Sequence, residues 1–140
     1  MVLVDGNVLL YAVNNSMPRQ ASAKGWIEEA LNRSDAVGFV WHVLLAFIRL
    51  ATLRALFPIP LEADAALSLV DEWVGARPAV VVHPTTRHAS VLRAFCMRAE
   101  RRATWCRAHL AALCIEHGAR MCSFDRGFNR FSGIRAFAPE

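Results

Sequence analysis

Val2-Leu3-Val4-Asp5-Gly6-Asn7-Val8-Leu9-Leu10-Tyr11-Ala12-Val13 opens the chain and sets its architecture. Val2 to Val4 is apolar without interruption, as in a short strand buried on both faces, and it delivers a carboxylate, Asp5, at its C-terminal end. Asn7 to Val13 then reads as a helix. The same alternation runs through the rest of the chain. Ala21 to Asn32 carries Ala23, Trp26, Ile27, Ala30 and Leu31 at helical spacing, with Lys24, Glu28 and Glu29 between them, which predicts an amphipathic helix. Val37 to Val40 reads as a second strand. His42 to Leu56 is apolar nearly all round apart from Arg49 and Arg54, which predicts a helix buried on most faces and stopped by Phe57-Pro58-Ile59-Pro60.

Glu62 to Gly75 places Ala65, Ala66, Leu69, Val70 and Trp73 on one face, with Glu62 and Asp64 in the first turn, where the helix dipole favours negative charge. Ala79 to Val82 is a β-branched run ahead of His83-Pro84, and Thr86 to Glu100 returns to helical spacing. His109 to His117 is a further helix closed by Gly118; Arg120 to Phe124 is a strand ending at Asp125, and Ile134 to Phe137 a final edge strand. Apolar strands alternating with helices predict an α/β fold, a three-layer α/β/α sandwich with a mainly parallel central sheet.

The chain has 140 residues, 55% of them hydrophobic, enough to fill one core, so residues 1–140 are expected to form a single domain. The longest apolar run, Val37 to Leu50, is broken by Trp41-His42 and Arg49 and is too short to cross a bilayer. The opening residues lack the features of an export signal, so a cytoplasmic location is expected, with no membrane partner. Cys96, Cys106, Cys114 and Cys122 match no zinc spacing and read as buried thiols in a reducing compartment. The net charge of +4 and pI near 9.3 come almost wholly from arginine, since Lys24 is the only lysine. An anionic partner fits this balance, and so does a plain gain in solubility.

Ligands of open parallel sheets bind beyond the carboxyl ends of the strands. The residues there are Asp5, Trp41, His83 and Asp125. Asp5 and Asp125 could share one divalent cation, because Mg²⁺ is usually held by one or two carboxylates plus waters and phosphate oxygens. Such an ion polarises a phosphoryl oxygen and acidifies a bound water, which suits phosphodiester hydrolysis. The alternative is that each aspartate caps the helix or turn that follows it. Asn7 has the same two readings, bonding a metal-bound water or capping the first helix. Arg98, Arg101, Arg102 and Arg107 surround Trp105, a pattern for RNA contact through phosphate pairing and base stacking, or else a solvated loop. His42, His83, His88, His109 and His117 show no catalytic or zinc spacing and read as structural. Arg49, on an apolar helix, would need a partner if buried, and a strand-end aspartate is the obvious one.

Four segments, in order, resemble VapC-type PIN domains, the toxin halves of bacterial toxin-antitoxin pairs. Val4 to Val13 resembles the D-x-N-V-L-L-Y-A start of that family. Trp41 to Thr52 resembles the W-x-V-L-L-A-F-L-R-L-x-T segment of one of its branches. Ala108 to Ala119 resembles its A-H-L-A-A-L-A-x-E-H-G-A helix, and Ser123 to Phe131 its S-x-D-x-D-F-x-R-F close. The resemblance implies a PIN-like fold and a Mg²⁺- or Mn²⁺-dependent endoribonuclease. Clustered acids would cut structured RNA, under inhibition by a VapB-like antitoxin. Carried onto this chain, Asp5 and Asp125 are the catalytic, metal-binding acids, with Asn7 assisting.

Three positions depart from the pattern. Arg107 stands where the family's third acid precedes the A-H-L-A-A-L helix, Ala46 aligns with the second acid, and Gly127 replaces the second aspartate of S-x-D-x-D-F. Guanidinium stays charged in a protein, and at an effective dielectric of 20 two unit charges 4 Å apart interact by about 4 kcal/mol. Arg107 is therefore expected to pair with Asp5 or Asp125 and compete with the metal; the alternative is that it turns outward. Two functions follow, a weakened ribonuclease toxin or an inactive PIN fold that binds antitoxin or RNA. Surplus apolar surface on Ala21 to Asn32 and His42 to Leu56 is expected to serve a homodimer and an antitoxin helix.

Overall fold

Strands of two or three residues are too short to stand alone, and this protein stabilises them by packing them side by side under helices. The computed structural model describes residues 1–98 and 104–140. In chain order its elements are β1 (Val2–Val4), α1 (Gly6–Val13), α2 (Gln20–Asn32), β2 (Val37–Phe39), α3 (Trp41–Ala51), α4 (Ala63–Gly75), β3 (Ala79–Val81), α5 (His88–Arg98), α6 (Trp105–His117), β4 (Arg120–Cys122), a 3₁₀ turn (Arg126–Arg130) and β5 (Ala136–Phe137). The strands form one all-parallel sheet in the order β3-β2-β1-β4-β5. β1 and β2 are wholly buried, which is why they consist of Val, Leu, Phe and Gly. Leu3, Leu9, Phe39, Leu44, Phe47, Leu113 and Met121 have no exposed surface and form the centre of the core. Burying each such side chain contributes about 1.5–3 kcal/mol before the entropy cost of folding.

The chain travels from β1 through β2 to β3, then returns past β1 to lay down β4 and β5 on its other side. Parallel strands are almost always joined by right-handed crossovers, and crossovers running in both directions along the sheet leave helices on both faces, the α/β sandwich expected. The reversal opens a crevice between the carboxyl ends of β1 and β4. Asp5 N–H donates to the Cys122 carbonyl at 3.0 Å there, locking the two strand ends together.

Some element ends differ from expectation. The third helix stops at Ala51 rather than Leu56: the Thr52 hydroxyl bonds back to the Ile48 carbonyl at 2.9 Å, and Leu61 N–H takes the Ala51 carbonyl at 2.9 Å. Nor is this helix buried on most faces. Val43, Leu44, Phe47 and Ala51 face the core, while Trp41 and Leu45 are 45% and 60% exposed and Arg49 is exposed as well. The last long helix begins at Trp105, ahead of His109, so Arg107 lies inside its first turn. It closes at Gly118 as expected, with φ of 60° and Ala119 N–H bonded to the Cys114 carbonyl at 2.9 Å.

Candidate active site

The backbone of Asp5 is extended, and its Oδ1 accepts from Gly6 N–H at 2.7 Å, so the carboxylate caps α1. Its Oδ2 accepts from Asn7 Nδ2 at 2.8 Å and from the Ser123 hydroxyl at 2.5 Å. Asn7 therefore does not cap the helix. Its amide also donates to Ser123 Oγ at 3.1 Å and accepts from Phe124 N–H at 3.2 Å, so it ties the β1 end to the segment after β4. Ser123 is buried and holds this junction: besides donating to Asp5 it accepts from Asp125 N–H at 2.9 Å. Asp125 caps the 3₁₀ turn through Gly127 N–H at 2.7 Å. Both aspartates thus cap the element that follows, and both line one cavity of about 410 Å³ together with Asn7, His42, Arg49 and Arg107. Capping and convergence, posed as alternatives from sequence, coexist.

Arg107 Nε lies 2.7 Å from Asp125 Oδ2, with both side chains about a third exposed, at 34% and 31%. A cation in the first turn of a helix opposes the dipole at a cost of about 0.3–1 kcal/mol, and pairing with Asp125 offsets it. Gly127 is what leaves room for this pair. A Cβ built there would lie 2.9 Å from Asp125 Oδ1 and 3.2 Å from Cζ of Arg107, so any side chain at 127 presses on both partners. Burial pushes the Asp5 carboxyl above the ordinary carboxylate range, and the Asp125 charge adds to the rise; the Ser123 and Gly6 bonds and the Arg107 charge oppose it without cancelling it.

A resident divalent ion needs acid oxygens turned toward it. Here all four oxygens of Asp5 and Asp125 already accept a hydrogen bond or pair with Arg107. Among the described residues no three His, Cys, Asp or Glu side chains gather to hold a metal. Ala46 adds only a methyl group to the cavity wall. As it stands the donor set does not fit a tightly held metal.

Of the remaining expected site residues, Trp105 is 69% exposed at the start of α6, and Arg101 and Arg102 lie outside the described residues. Arg49 is exposed rather than buried and makes no ion pair among the described residues, so it does not hold a strand-end aspartate. Cys114 and Cys122 are buried, and burial pushes the Cys114 thiol up to about 12; Cys106, expected buried, is exposed and lines the cavity. The histidines form a chain that the sequence did not reveal. Glu116, whose side chain has no exposed surface, accepts from Thr85 N–H at 2.9 Å and sits 2.5 Å from His88 Nδ1. His88 Nε2 is 2.9 Å from His109 Nδ1, whose ring packs edge-on against His42 at the cavity wall. His117 bonds the His83 carbonyl at 2.8 Å.

The family profile described as PIN domain matches residues 2–134. The chain is 46% identical over 140 residues to ribonuclease VapC37 of Mycobacterium tuberculosis, covering 99% of this chain and 97% of that one. It is 34% identical to ribonuclease VapC43 of the same organism over 136 residues, covering 96% and 92%. Its fold is similar to that of VapC20 of M. tuberculosis, described as a sarcin-ricin loop cleaving toxin, with a TM-score of 0.70 at 18% identity and 96% of both chains covered. VapBC2 of Rickettsia felis, bound to a promoter DNA fragment, gives a TM-score of 0.72 at 12% identity over the whole of both chains. A parallel sheet with two aspartates meeting at its switch point, matched by a family profile and by relatives along nearly the full chain, places this protein in the PIN-domain family, among the VapC-type ribonuclease toxins.

Proposed function

We propose that this chain is a single-domain, cytoplasmic VapC-type toxin whose endoribonuclease activity on structured RNA is weak, because Arg107 replaces an acid and pairs with Asp125. That ion pair is the observation that carries the reading. Asp5 and Asp125 are the acids that would face a Mg²⁺ or Mn²⁺ ion, with Asn7 and Ser123 fixing Asp5. A pair about one-third exposed is worth roughly 0–1 kcal/mol. Displacing Arg107 therefore lowers cation affinity by about fivefold at most, since 1.4 kcal/mol is a factor of ten. A competitor of that size weakens a cation site rather than blocking it, and the absence of a third carboxylate weakens it further.

The test measures Mn²⁺ affinity by calorimetry and metal-dependent RNA cleavage by gel. Arg107→Ala, which removes the competitor only, is expected to bind Mn²⁺ up to about fivefold more tightly than the native chain; Arg107→Asp, which also restores a ligand, is expected to exceed it in both affinity and cleavage. Asp5→Ala should abolish cleavage. Robust Mg²⁺-dependent cutting by the native chain, undiminished beside Arg107→Asp, defeats the reading. Should neither arginine variant cut, the second reading stands, a PIN fold that binds antitoxin or RNA without cleavage. The absence of a fitted metal site among the described residues favours it. Co-expression with a VapB-like antitoxin separates the partners: several similar solved structures are VapBC complexes, which makes such an antitoxin the expected partner here.

A further inference from the structure

Beside the first cavity lies a second, of about 450 Å³, within the range of about 300–1,000 Å³ typical of small-ligand clefts. Asp125 stands on the wall that the two share. Arg19, Ser22, Phe124, Arg126 and Asn129 line the second cavity. Among the described residues that line it Asp125 is the one acid, and that charge is already answered by Arg107. Arg19 lies over the Phe124 ring, its guanidinium carbon 4.9 Å from the ring centroid, and Tyr11 packs on the same ring at 5.3 Å. Among the described residues neither Arg19 nor Arg126 makes an ion pair. The cavity therefore presents two cationic, planar hydrogen-bond donors, one of them propped by an aromatic, together with an amide and a hydroxyl.

We infer that this cavity is a nucleotide subsite, holding the unit of an RNA strand next to the one that lies over Asp5 and Asp125. Arg126 takes its phosphate, since guanidinium matches phosphate oxygens in geometry and charge. Arg19, braced on Phe124, offers a flat face on which an unstacked base lies, and Asn129 and Ser22 supply groups that bond base or sugar edges. An acidic peptide would use the two cations but has no need of the propped guanidinium face, and this favours a polynucleotide. The inference rests on the RNA-directed reading above.

The experiment is fluorescence anisotropy with a short labelled single-stranded oligoribonucleotide, run in EDTA so that cleavage plays no part, across a salt series. Arg126→Ala and Arg19→Ala are each expected to weaken binding about tenfold. Arg126→Ala should also reduce the slope of log affinity against log salt by about 0.7, the share of one phosphate contact on a single strand. Arg33→Ala, which removes a surface arginine paired with Glu29 at the other end of α2, should change neither. Arg19→Lys keeps the charge and loses the flat face, so it is expected to retain the salt slope and lose affinity. Arg19 and Arg126 are both exposed, so their variants are expected to melt at the native temperature. If the native chain binds RNA and both alanine variants match it with unchanged slope, the subsite is wrong and the RNA-directed reading survives. If the native chain binds no RNA, both fall. An acidic peptide of equal charge that binds as tightly, and is lost with the same two substitutions, assigns the cavity to a protein partner and overturns the inference.

Discussion

Arg107 and Gly127 depart from the family pattern together, and the structure gives the reason they are coupled. The guanidinium and the Asp125 carboxylate fill the space that a side chain at 127 would need. Gly127→Asp alone is expected to crowd the pair and lower stability, by about 1–3 kcal/mol if the site cannot relax. In an Arg107→Asp background the same change meets a shorter side chain. The two are therefore expected to be non-additive, with a coupling of about 0.5–3 kcal/mol read from a double-mutant cycle of thermal melts. Glu116 makes the other residue-level prediction. Glu116→Gln keeps the shape but loses the charge that faces His88, and should cost about 1–3 kcal/mol in chemical denaturation. Asp5 and Asp125 were legible in the sequence because each ends an apolar strand. Ser123 was not, although it stands in a quoted motif: its hydroxyl matters only through Asp5, 118 positions away along the chain.

Among the elements, the strands were readable to within a residue or two: β1 and β3 because unbroken Val and Leu runs have few other uses, and β2, β4 and β5 because short apolar stretches follow the ends of helices. Helix ends were less so. Leu53 and Leu56 continue the apolar pattern of α3, yet the Thr52 back-bond and the turn that brings Leu61 to Ala51 end the helix first, leaving Leu53 and Leu56 40% and 50% exposed. The start of α6 was hidden by its arginines, which read as loop; only the tertiary pairing of Arg107 shows why a cation is tolerated in that turn. In β2, Gly38 lies where a Cβ would stand 2.3 Å from Leu3 Cδ2 and 3.0 Å from Val82 Cγ2. Gly38→Ala is expected to destabilise by about 1–3 kcal/mol, or more if Leu3 cannot shift, as measured by denaturant midpoint.

For the molecule as a whole, acid is expected to weaken the fold. Burial, with the His88 and His42 charges, holds His109 below its ordinary 6.5, so stability falls as pH drops from 6.5 through the lowered folded value. Burial alone would raise Glu116, but the His88 and Thr85 bonds outweigh it and hold the group below 4.5, so a second loss follows under more acid conditions. Asp5 acts oppositely, because its folded value is raised above 3.8 and its contribution is lost as pH rises. Melting temperatures should be level from pH 8 to about 6.5 and fall as pH drops below 6.5, with Asp5 opposing the Glu116 loss at the acid end; no fall below 6.5 would show the histidine chain to be energetically idle. Of the two segments expected to carry surplus apolar surface, His42 to Leu56 does, with Trp41, Leu45, Leu53, Leu56 and Ile59 exposed on α3 and its exit, whereas Ala21 to Asn32 exposes no large apolar side chain. Under the homodimer reading, Leu45→Glu with Ile59→Glu should move the sedimenting species toward monomer. No helix among the described residues is long and apolar enough to cross a membrane.

The counter-ion at the sheet's rim is anchored to the polypeptide, so it cannot be dialysed away. Starving the medium of magnesium, or flooding it with chelator, leaves Asp125 its Arg107 partner. The resting protein should therefore keep its shape unchanged through swings in divalent supply that would loosen a rim dependent on a borrowed ion.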